Sequence, residues 1–167
     1  MSTNLTGRTS VVIDLKNIKA LDLNEVLDEL GIDSGIKWTF GTGANQANIL
    51  FHDKRTIAQS ASETLDLYAS GSLKDAFGDA LTMAAIKFLY IKNTSADLTV
   101  SVFGGGSLDL LIMGGTTDSE QLPPGSFMMW ACPTAAGIVT TVNKNLKLAV
   151  SAGTGSAIIE VVALGLD

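Results

Sequence analysis

The stretch from Leu81 to Val102, LTMAAIKFLYIKNTSADLTVSV, most limits what this chain can become. Successive side chains of a strand point to opposite faces. In an extended chain Ile86, Phe88 and Tyr90 therefore share one side, and Lys87, Leu89 and Ile91 the other. Apolar groups on both sides predict a central strand covered on both faces. Leu98, Val100 and Val102 alternate with Thr99 and Ser101. That is the pattern of a strand with one face in a core and one in water. A helix needs an apolar group at roughly every third or fourth position, which the second run lacks. Between the runs lie Asn93 to Asp97, where Asn, Ser and Asp side chains bond nearby backbone and favour a turn. The spacing predicts a β-hairpin with a five-residue loop.

Other segments repeat this alternation. Strands are expected over 10–15, 36–40, 48–57, 62–68, 108–113, 127–131, 138–142, 146–150 and 157–164, with Asp53-Lys54 read as a turn inside the third. Pro124-Gly125 marks a turn, and Ala152 to Ser156 reads as a hairpin loop. The segment 75–79, DAFGD, reads as a short helical turn. One segment carries helix signals. Asp22 is placed as an N-cap, Glu25 as its capping-box partner, Leu21 and Val26 as a staple, and Gly31 as the stop. Leu23, Val26, Leu27 and Leu30 form one stripe, so a short helix is expected over 21–31. The fold class is then all-β, an antiparallel sandwich or jelly roll with one short N-terminal helix. Residues 1–35 form an arm with that helix, and 36–167 the sandwich domain.

Of the 167 residues, 17% are charged, against about 25% in an ordinary domain. A Gly-, Ala-, Ser- and Thr-rich chain with so little charge suggests a surface partly shared with other subunits. A net charge of −6, with no basic run longer than Lys54-Arg55, argues against nucleic acid and anionic membranes as partners. No segment approaches the roughly 20 apolar residues of a membrane span, and the polar start lacks a signal-peptide core. A single cysteine rules out a disulfide within the chain.

No catalytic constellation assembles. His52 is the only histidine and Cys132 the only cysteine, so neither a Ser-His-Asp set nor a metal-ligand cluster is expected. Cys132 reads as a small buried hydrophobe. Gly41-Thr42-Gly43 and Gly104-Gly105-Gly106 lack the residues that follow in phosphate-binding loops. Asp66, Asp75, Asp79, Asp97 and Asp109 show no spacing that singles out an acid/base pair. Calcium between Asp75 and Asp79 would lack the twelve-residue loop pattern. Trp38 and Trp130 are candidates for a sugar platform, but apolar neighbours favour core packing. No catalytic, cofactor or metal residue is therefore assigned, and no cofactor and no enzymatic activity are expected.

Residues 64–102, the LPPGSF turn and the closing segment AVSAGTGSAIIEVVAL resemble small virion structural proteins of tailed bacteriophages. The shared features are a Leu-Asp-Leu strand, an Asp-Ala-Phe-Gly loop, a strand ending Ile-Lys-Asn, a Gly-rich loop and a Pro-Gly turn. The resemblance implies a non-enzymatic β-sandwich subunit, most naturally a capsid decoration or cement protein. A tail, neck or fibre-attachment subunit and a carbohydrate-binding module are the alternatives. The expected partners are further copies of the chain, with a trimer as the favoured ring, and the major capsid or other virion proteins. The expected location is the virion, and the host cytoplasm during assembly.

Overall fold

The computed structural model describes residues 4–20, 25–69, 71–104, 108, 110, 112 and 118–167. It is built of strands. β1 (Thr6–Ala20) and β2 (Glu25–Phe40) form a long hairpin, and β3 (Gln46–Ala47) adds briefly to its base. There follow β4 (Ile49–Ala58), β5 (Ser62–Asp66), β6 (Leu73–Lys74), β7 (Ala80–Leu81), β8 (Ala85–Asn93) and β9 (Val100–Gly104). The chain continues through β10 (Ser119–Leu122), β11 (Phe127–Ala131), β12 (Ile138–Val139), β13 (Asn145–Val150) and β14 (Ser156–Leu166).

Eight of these strands make a jelly roll. One sheet has the order β11-β8-β14-β4, with β12 adding to β8, and the other the order β10-β9-β13-β5. All their pairings are antiparallel. Taken along the chain, the first strand pairs the last, the second the seventh, the third the sixth and the fourth the fifth. This is a long hairpin rolled into two sheets. Inward side chains of both sheets, among them Phe51, Leu89, Ile91, Val100, Leu148 and Ile159, form one buried core. As expected, β8 is covered on both sides. Leu89 and Ile91 face that core, while Phe88 packs outward against Trp38, Leu5 and Leu164. Ile86, expected on the side of Phe88, instead joins the core with Leu89 and Ile91, because the strand bulges between Ile86 and Phe88.

The expected hairpins are not hairpins. β8 and β9 belong to opposite sheets, so Asn93 to Thr99 carries the chain across the sandwich. The same holds for β13 and β14 across 151–155, for β4 and β5, and for β10 and β11 across the Pro124-Gly125 turn. Alternation specifies which face of a strand is buried but not which neighbour it pairs, and a crossover needs the same short polar linker as a hairpin. These crossovers lie side by side. The Ser60 N–H bonds the Ser151 carbonyl at 3.2 Å, Gln59 N–H the Gly155 carbonyl at 3.0 Å, and Ser151 N–H the Thr99 carbonyl at 2.9 Å. Asn93, wholly buried, ties two of them together. Its amide donates to the carbonyls of Leu98 at 2.7 Å and Leu122 at 2.8 Å, and its Oδ1 accepts from the Ser95 N–H at 3.0 Å. Gly125 completes the node at φ 78°, a conformation that L side chains rarely adopt, and donates its N–H to the Asn93 carbonyl at 3.0 Å.

The expected N-terminal helix is not formed. Glu25 to Gly31 lie in β2, paired with Asp14 to Ala20, while residues 21–24 fall outside the described set. A helix over 21–31 would be a few turns long and marginal alone. Pairing instead joins fifteen residues of each strand in an unbroken register, Thr6 opposite Thr39 through Ala20 opposite Glu25. Leu27 and Leu30 fit a helical stripe, but in the ribbon they sit opposite Ile18 and Leu15, where cross-strand apolar pairs stabilise a sheet. Other expectations shift less. β4 runs straight through Asp53-Lys54, and Asp75 holds a turn between β6 and β7 instead of a helical one. Much of 108–113, the Gly104–Ser107 loop beyond Gly104, and Asp109 lie outside the described residues.

Candidate assembly surfaces

The base of the arm is fastened to the outer face of the β11-β8-β14-β4 sheet. Trp38 is wholly buried there with Leu5, Ala47, Phe88 and Leu164, and its Nε1–H donates to Thr9 Oγ1 at 3.0 Å. Farther along the arm, Thr9, Val11, Ser34 and Ile36 face Met129 and Ala131 of β11 across a crevice of about 170 Å³. The arm thus runs outward over β14 and β8 and then β11, which is the edge of its sheet.

Lys87 locks this attachment. A register shift at Leu164/Gly165 pairs Leu164 with Phe88 and Gly165 with Ile86, leaving Lys87 as the extra residue of a β-bulge. Gly165 is required there, because a Cβ would come within 2.5 Å of the Ala85 carbonyl oxygen. The Lys87 side chain is wholly buried, and its Nζ donates to the carbonyl oxygens of Gly43 at 3.1 Å and of Thr134. It so joins the loop after β2 to the loop after β11, beside the Asn45 N–H, which bonds the Pro133 carbonyl at 2.8 Å. Burial pushes the Lys87 ammonium below the ordinary lysine value of 10.5, with Cys132 acting in the opposite sense. In the sequence Lys87 was legible only as the polar member of a mixed strand face.

Beyond β11 none of the described residues covers the arm. Every described side chain of residues 12–18 and 27–35 is exposed. Ile13 faces Ile32 and Leu15 faces Leu30 on the side that carries Trp38 and Ile36 at the base, while Ile18 faces Leu27 on the other. Two exposed ion pairs, Arg8–Asp33 at 3.1 Å and Lys16–Glu29 at 3.5 Å, link the two strands of the ribbon.

At the opposite edge of the same sheet face lies an open groove of about 310 Å³. It is lined by Leu50 and His52 of β4 and by Ala76, Phe77, Ala80 and Leu81. Leu50 and His52 pair with Leu164 and Val162, so they share the outer face to which the arm base is docked. Asp75 Oδ1 accepts from the N–H groups of Phe77 and Asp79, both at 2.9 Å. This Asx turn holds out Phe77, which is 91% exposed.

The remaining candidate residues stand apart. His52 lies in the groove, away from Cys132, whose Sγ sits 3.1 Å from Thr134 Oγ1 and which is only partly buried. Burial alone would raise the Asp66 carboxyl, but the Lys144 ammonium at 2.8 Å and the N–H groups of Ala69 and Tyr68 outweigh it and hold it below the ordinary 3.8. Asp97 is exposed in a crossover. No group of three or more His, Cys, Asp or Glu side chains suited to a metal occurs among the described residues. Trp38 is sealed in the arm base, and Trp130 packs half-buried against the main core. Gln46 occupies the Gly41–Gly43 loop, its Oε1 accepting the Gly43 N–H at 2.8 Å. No protein-family model, no curated protein and no solved structure matches this chain.

Proposed function

We propose that this protein is a non-enzymatic structural subunit of a tailed-bacteriophage virion, one that decorates or cements the capsid. The observation that carries the reading is the arm. It leaves a well-packed jelly roll and exposes apolar pairs on both faces, a form that suits burial against another subunit. The resemblance of residues 64–102, with the low charge content, points the same way. A tail, neck or fibre-attachment subunit of the same particle is the runner-up, and immunogold labelling of virions separates the two. The carbohydrate-binding alternative has less support, since Trp38 and Trp130 are both drawn into packing.

The test is co-sedimentation with empty capsids, together with solution mass by light scattering. The expected outcome is saturable capsid binding by the purified chain. A chain that stays monomeric and does not bind capsids overturns the reading.

A further inference from the structure

We draw no further inference here: the strongest candidate, the apolar stripe that Ile13, Ile32, Leu15 and Leu30 form on the arm beyond the β11 edge, together with the groove beneath Phe77 at the β4 edge, carries nothing, because nothing in the structure shows what covers the one or fills the other.

Discussion

The jelly-roll body and the arm use the same strand chemistry to opposite ends. In the body, alternation sends Leu146, Leu148 and Val150 inward and leaves Lys147 and Ala149 toward solvent. In the arm, β1 and β2 are the longest strands of the molecule, yet Ile13, Leu15, Leu30 and Ile32 face water. A two-stranded ribbon is at best marginally stable alone, because it has no second layer on which to bury a face. The body supplies that layer only as far as β11. The difference teaches that the body satisfies itself, whereas the arm is fixed at its base and left open at its far end.

The largest expected contrast comes from removing one buried side chain in each region. Leu148→Ala in the body should cost about 3 kcal/mol or more and lower the melting temperature of the whole domain. Trp38→Ala empties a comparable site in the arm base, but the body should melt within a few degrees of wild type. Hydrogen exchange should then show residues 6–40 losing protection while β8 and β14 keep theirs. Equal loss of protection in both regions would show that body and arm form one cooperative unit.

The next effect concerns the crossover node. Asn93→Ala leaves the buried carbonyls of Leu98 and Leu122 without their donor, which should cost about 2–3 kcal/mol in denaturant unfolding. A cost under about 0.5 kcal/mol, the range of surface substitutions, would mean that water replaces the amide and that the node does not hold the sheets together.

Lys87 sharpens the comparison at the joint. Its folded value lies below the ordinary 10.5, so between the two values the unfolded chain binds more protons than the folded one. Stability therefore rises with pH across that interval and levels off above 10.5. The Lys87→Met variant should lack this rise, so the difference between variant and wild type, measured by urea unfolding at stepped pH, should grow toward alkaline pH. A pH-independent difference would show that the buried ammonium carries no desolvation cost.

The smallest effect is expected at Asp66. Its lowered value means that its contribution is present above the ordinary carboxylate range and is lost as pH falls through the folded value. Asp66→Asn should cost about 1 kcal/mol or less at neutral pH, because the pair with Lys144 is only partly buried. The variant should also flatten the acid limb of the stability profile. An unchanged acid limb would remove Asp66 from that limb.

The sequence by itself determined the fold class and most strand positions. Inward and outward residues of β13, of β14 and of β8 beyond its bulge follow from period-two alternation, a local property of the backbone. The bulge at Lys87 instead turns Ile86 into the main core with Leu89 and Ile91 and not to the side of Phe88. The turns at Asn93 and Pro124-Gly125 were equally legible, since Asn, Pro and Gly act on their own φ and ψ. Tertiary structure decided what those turns join. Whether a short linker closes a hairpin or crosses to the opposite sheet depends on strands far away in sequence, and β9 pairs β13 and β10 while β8 pairs β14 and β11. It decided the arm as well. Residues 21–31 satisfy helical spacing and capping rules, but the fifteen paired positions of β1 and β2, which take in 25–31, outweigh a short helix with no partner. The groove beneath Phe77 and the burial of Lys87 had no sequence signal. Both arise where loops distant in the chain meet over a sheet, and only the packed sheets bring those loops together.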